Sequence, residues 1–138
     1  MRGEILAAFA GVARPAQDAI APHRCCECDT LAADLFPHAA TALPDDVLRG
    51  HVWDLPLLSD AAKQYYLPAW LLHALADDRS DATDALVFAL DADHRWKPAT
   101  PYTAEQWLAI DHWLAFIREG VDEFFQPDID RVRAKLPR

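Results

Sequence analysis

Glycine is scarce in this 138-residue chain, which contains only four. A glycine-rich phosphate loop is hard to build from so few, and none is present. Neither G-x-S-x-G nor H-E-x-x-H occurs, so the two motifs that would announce a serine hydrolase or a helical zinc protease are missing. No run of about 18 apolar residues is available to span a bilayer. Cations are also in short supply: 13 Lys and Arg face 22 Asp and Glu, for a net charge of −9. Phosphate binding needs a positive face, so the charge argues against nucleic acid and is compatible with a basic protein partner. Simple solubility accounts for the same charge.

The three cysteines all lie in "HRCCECD", at positions 25, 26 and 28. An odd, clustered set is not a secreted disulfide framework and points to a reducing, cytoplasmic setting. The opening "MRGEILAAFAGVARP" places an Arg before an apolar run, as a secretion signal would. Glu4 and the short amphipathic run instead read as a first helix.

What is abundant builds helices. Hydrophobic residues make up 52% and charged residues 25%, with alanine prominent. We expect one all-α domain over 1–138, with six or seven helices. Ile5, Leu6, Phe9 and Val12 mark a first helical face, and Pro15 restarts a helix that Pro22 ends. "DTLAADLF" is capped by Asp29 or Thr30 and stopped by Pro37. "LPDDVLRG" forms a short helix. "HVWDLPLL" is an apolar connector whose Trp53 anchors the core. Ser59 caps "SDAAKQYYLPAWLLHALADD", in which Pro68 predicts a kink or break near Leu67. Ser80 or Asp81 caps a helix ending near Leu90, although 86–90, "LVFAL", has a short strand as its alternative. "HRWKPATPY" reads as an extended loop. Thr103 and Gln106 form a capping box that opens a long helix. Trp107, Ile110, Leu114, Ile117, Val121 and Phe124 follow on one stripe, widened by Trp113 and Phe116. Pro127 breaks this helix, and a last one covers 128–136, its cations complementing the helix dipole.

Cys25 and Cys28 form C-x-x-C. Two thiolates at this spacing can hold zinc, and Cys26, His23, His38, His51 or Asp29 could complete the four ligands. The set Cys25, Cys28, His23 and His38 is the candidate metal site. A redox pair at a helix start is a second chemistry, although no strand precedes it and Glu27 opposes thiolate formation. Buried packing is the simplest reading, and it requires no cofactor. Asp93 with His94, and Asp111 with His112, supply acid–base residue types, but adjacent helical positions diverge and make no dyad. His73 sits in an apolar segment and reads as a core or boundary histidine. The chain has five tryptophans and three tyrosines. Tyr65, Tyr66 and Trp70 are the candidate partner-binding aromatics, with Trp107 and Trp113 as another pair.

The order Cys25–Cys28, Trp53, "YYLPA" at 65–69 and "TAEQ" at 103–106 resembles a small bacterial family known only as a domain of unknown function. The likeness covers roughly residues 20–118 and implies no activity. In size and charge the chain also resembles immunity proteins that neutralise a toxin. The function expected is therefore a non-enzymatic cytoplasmic binding protein acting on a basic partner by occlusion. A metal- or thiol-dependent protein using Cys25, Cys26 and Cys28 is the alternative.

Overall fold

Helix α4 (Asp60–Ala76) has buried residues on nearly every side, among them Tyr66, Leu67, Trp70, Leu71 and Ala74. A helix that is apolar all round belongs in the centre of a bundle. The other helices surround it in a computed structural model that describes residues 1–76, 81–91 and 101–137. They are α1 (Arg2–Phe9), α2 (Cys26–Leu35), α3 (Asp45–Gly50), α5 (Ala82–Asp91), α6 (Ala104–Arg118) and α7 (Gln126–Lys135). Short 3-10 turns at Gln17–Ala19, Ala40–Ala42 and Leu55–Leu57 complete the described elements. Helix α1 packs on α4 and α6, α5 on α4 and α7, and α7 on α6. One hydrophobic core draws residues from all seven helices. Among the described residues there is no strand, and 86–90 lies within α5. No helix of the described residues is long and apolar enough to cross a membrane.

Several boundaries differ from expectation for local reasons. Helix α1 stops at Phe9, and the segment after Pro15 makes only the Gln17–Ala19 turn. Helix α2 begins earlier than Asp29 because Cys25 serves as its N-cap, its sulfur accepting the Cys28 N–H at 3.4 Å. Pro68 does not divide α4, which runs unbroken through it. An interior proline costs about 3 kcal/mol, and the burial of Leu67, Trp70 and Leu71 around it offsets that cost. Helix α6 ends at Arg118 rather than reaching Phe124, and the Gln126 side chain donates to the Arg118 carbonyl at 3.1 Å. Pro127 then falls in the first turn of α7, where its missing N–H is harmless. Phe124 consequently falls outside the apolar stripe, and Phe116, within α6, lies on its exposed side.

Two side chains join the termini of these elements. Ser59 caps α4, accepting the Ala62 N–H at 3.1 Å, while its hydroxyl donates to Ala19 at 2.6 Å. Gln106 closes the capping box with Thr103 and does more. Its Oε1 accepts from Thr103 N at 3.1 Å and from Gln64 Nε2 at 2.9 Å, and its Nε2 donates to the Ala8 carbonyl at 3.1 Å. One buried amide therefore links α1, α4 and α6.

The cations of α7 bridge helices instead of only complementing its dipole. Arg131 pairs with Asp91 at the end of α5 at 2.8 Å, and Arg133 pairs with Asp111 of α6 at 2.8 Å. Arg118 of α6 answers with Asp130 of α7 at 2.7 Å. The Arg131 hydrogen bonds, reinforced by Lys135, hold the Asp91 carboxyl at about 2.

Gln106→Ala should cost roughly 2–4 kcal/mol, because it removes a cap and strands the buried Gln64 amide. Gln106→Glu should cost at least as much at neutral pH, since it buries a carboxylate and turns an acceptor oxygen toward the Ala8 carbonyl. Urea denaturation of both variants gives the ranking, and equal midpoints for wild type and Gln106→Ala would refute the role of this amide.

Candidate functional site

The cysteine cluster opens α2. Cys25 and Cys26 are exposed, and Cys28, at 1% exposure, is buried. His23 is exposed before the helix, and His38 lies beyond its other end. A ten-residue helix is about 15 Å long, so α2 itself separates Cys25 from His38. The structure does not bring Cys25, Cys28, His23 and His38 together. Among the described residues, no group of three or more Cys, His, Asp or Glu is arranged to hold a metal ion.

The aromatic expectations are reversed. Tyr66 and Trp70 are fully enclosed, with relative exposures of 0%. The Tyr66 hydroxyl donates to the Leu35 carbonyl at 3.1 Å, satisfying the end of α2. Trp70 Nε1 donates to the Val52 carbonyl at 3.0 Å. Tyr65 is half-buried, and its hydroxyl accepts from Ala40 N at 3.3 Å. Tyr66 and Trp70 are therefore enclosed joints with no surface to offer a partner, while Tyr65 remains partly exposed. Trp113 is likewise buried, donating to the Leu71 carbonyl at 3.2 Å. Trp53 is the opposite case: expected in the core, it is 51% exposed.

Trp53 sits on a turn that is fixed on both sides. Before it, the Val52 carbonyl takes the Trp70 indole proton. After it, Asp54 N donates to the His51 carbonyl at 2.9 Å, and Leu57 N donates to the Asp54 carbonyl at 2.9 Å. The His51 ring is buried between two carboxylates. Its Nδ1 lies 2.7 Å from Asp54 Oδ2, and its Nε2 lies 2.8 Å from Asp34 Oδ2 on α2. Two carboxylate acceptors call for a doubly protonated ring. Burial opposes that charge, but the hydrogen bonds and charges of Asp34 and Asp54 outweigh it and raise the imidazole above its ordinary value.

The sequence on either side is acidic. Over 25–60 there are seven acidic residues, Glu27, Asp29, Asp34, Asp45, Asp46, Asp54 and Asp60, against one cation, Arg49. With histidine counted as neutral, six of the nine net negative charges fall in about a quarter of the chain. Glu27 and Asp34, seven apart, share one face of α2. Asp45 and Asp46 open α3, which leads directly into His51, and both are exposed. This clustering could have been read from the sequence, as could His51-x-x-Asp54. The Asp34 partner, 17 positions from His51, gives no local signal.

The remaining candidates are absorbed elsewhere. Asp111 pairs with Arg133, and His112 Nδ1 lies 2.6 Å from Glu4, so neither serves the other. His73 is buried, with Nδ1 at 3.4 Å from Asp45 Oδ1. Asp93, His94 and the extended loop expected around them lie outside the described residues, apart from Pro101 and Tyr102. A cleft of about 550 Å³ is lined by Tyr102, Trp107, Leu108, Asp111 and Leu136. It is mostly apolar, and the Asp111 carboxylate there is taken by Arg133.

No family model, curated protein or solved structure matches this chain. The site must therefore be judged on its own geometry.

The raised imidazole sets a pH dependence. His51 contributes stability that is fully present below its unfolded value of about 6.5 and is lost as pH rises through its higher folded value. At pH near 5.5, His51→Gln should cost roughly 1–3 kcal/mol, and the difference from wild type should narrow toward pH 9. Urea midpoints across that range give the curve. A difference that stayed constant with pH would rule out a charged ring.

Proposed function

We propose that this protein is a non-enzymatic, acidic binding protein that captures a basic protein partner on the face carrying Trp53. The supporting observation is an exposed tryptophan on a turn held from both sides, within a stretch of the sequence rich in acidic residues. A partner-binding aromatic is most effective when its backbone is already ordered, since little entropy is then lost on docking. The indole face accepts an Arg or Lys of the partner, and the contact strengthens as water leaves. Asp34, Asp45, Asp46 and Glu27 supply a field that speeds encounter and selects a cationic surface. The mechanism is occlusion, as in an immunity-type inhibitor that covers a toxin's working surface. No group on the chain has to react.

The resemblance to a domain of unknown function adds no activity and assigns no residue a role. Apart from the exposed Trp53, these motif residues make structural contacts: Cys25 as a cap, Tyr65 and Tyr66 as clamps, Thr103 and Gln106 as a capping box. The exposed thiols at the start of α2 favour a second, thiol-dependent reading over a zinc-dependent one.

Capture from an extract of the source cells tests the proposal. The immobilised protein should retain a basic protein at low ionic strength and release it as salt rises. Trp53→Ala should weaken that retention roughly tenfold or more while leaving the melting temperature near that of wild type, because the side chain is half in solvent. Equal retention by the variant, or capture that ignores salt, would overturn the assignment of this face.

A further inference from the structure

We propose that Cys25 and Cys28 are a redox-active dithiol that closes to an internal disulfide at the entry of α2, with Cys25 as the attacking sulfur and Cys28 as the resolving one. This inference is independent of the docking face.

The geometry distinguishes the two thiols. Cys25 is the exposed N-cap, with an extended backbone (φ −145°, ψ 165°), and its sulfur already accepts the Cys28 N–H at 3.4 Å. Cys28 sits three residues on, inside the first turn, and is buried. Helical positions three apart have Cα atoms roughly 5 Å from each other, within the span of about 4.4–6.8 Å that a disulfide bridges. Closure therefore needs no large rearrangement of the backbone. The Cys28 thiol is held above its ordinary value, chiefly by its hydrogen bond to the Cys25 side chain, then by burial and by the charges of Cys25, Glu27 and Asp29. The inner sulfur thus keeps its proton while the outer sulfur is open to an incoming reagent. Cys26 is exposed as well, but its adjacent position in the chain leaves no intervening residues to close a ring with Cys25 comparable to that of a C-x-x-C pair.

The oxidant is a low-molecular-weight disulfide, R–S–S–R. The Cys25 thiolate attacks one sulfur of the reagent, forming a Cys25–S–S–R mixed disulfide and expelling R–S⁻. The Cys28 thiol then gives up its proton and attacks Cys25 Sγ, forming the Cys25–Cys28 bond and expelling the second R–S⁻. Two protein thiols are oxidised, one reagent disulfide is reduced to two R–SH, and the two protons end on the leaving thiols. Cys26 keeps its thiol throughout. The closed ring ties the cap to the first turn of α2, the helix that carries Glu27 and Asp34.

The full-length protein incubated with oxidised glutathione, then alkylated and weighed intact, tests this. The expected product has lost two hydrogens, carries one alkyl group and no glutathione, and yields a Cys25–Cys28 cross-link on peptide mapping. Cys26→Ser should close as wild type does. Cys25→Ser should form no internal bond, and serine keeps a good N-cap, so a circular-dichroism spectrum like that of wild type shows that the loss is chemical and not a failure to fold. Stable glutathione adducts without closure, cross-linked dimers, or an internal bond through Cys26 would each overturn the proposal. So would three thiols still fully alkylated after exposure.

Discussion

A helix enclosed on nearly every side has to place its polar side chains and receive its neighbours' donors without help from water. In α4 those obligations locate much of the surrounding molecule. Gln64 meets the capping amide of α6, Tyr66 meets the last carbonyl of α2, Trp70 meets the carbonyl of Val52, and the Leu71 carbonyl receives Trp113. The partners lie on three neighbouring segments: α6, which supplies two of them, α2, and the turn at Val52. Apolar burial supplies the drive to associate, but it is non-directional. The hydrogen bonds set the register, because a buried donor left alone would cost more than the bond itself contributes.

Charge is divided by the same architecture. Around α7, the cations Arg131, Arg133 and Lys135 are committed to Asp91, Asp111 and Asp128, and Arg118 to Asp130. Acidic groups there are answered within the fold. From the entry of α2 to the start of α4 no comparable supply exists, since Arg49 is the one Lys or Arg in that stretch and the charged His51 ring adds a single further cation. Part of its acidity is turned inward, Asp34 and Asp54 onto His51 and Asp45 toward His73, while Glu27, Asp29 and Asp46 are exposed. The surface that remains unanswered is therefore a product of where the basic residues were used.

Local signals were legible and long-range ones were not. Ser59 and the Thr103–Gln106 box announce helix starts because a cap is a contact within three residues. The apolar spacing of 107–117 likewise reveals a helix. Periodicity does not say which helix will be central, and that is why Tyr66 and Trp70 read as surface candidates while Trp53 read as an anchor. Pro68 suggested a break because helix propensity is counted without tertiary packing, which overrides it here. The α7 arginines looked like dipole partners since Asp91 and Asp111 are remote in sequence. The cysteine motif was visible at once, but only the helix between Cys25 and His38 shows that the proposed ligands are held apart.

Val52 and Trp53 share a peptide unit that belongs to two regimes at once. On one side of it, a carbonyl shields the indole proton of a ring at the centre of the bundle. On the other, a second indole stands half in solvent. The proton of Trp70 can exchange with water only when its bond to Val52 breaks and the enclosed ring is uncovered, and an excursion of this turn is one such event. Whatever grips Trp53 makes that event rarer, and the central helix is steadied from outside without being touched.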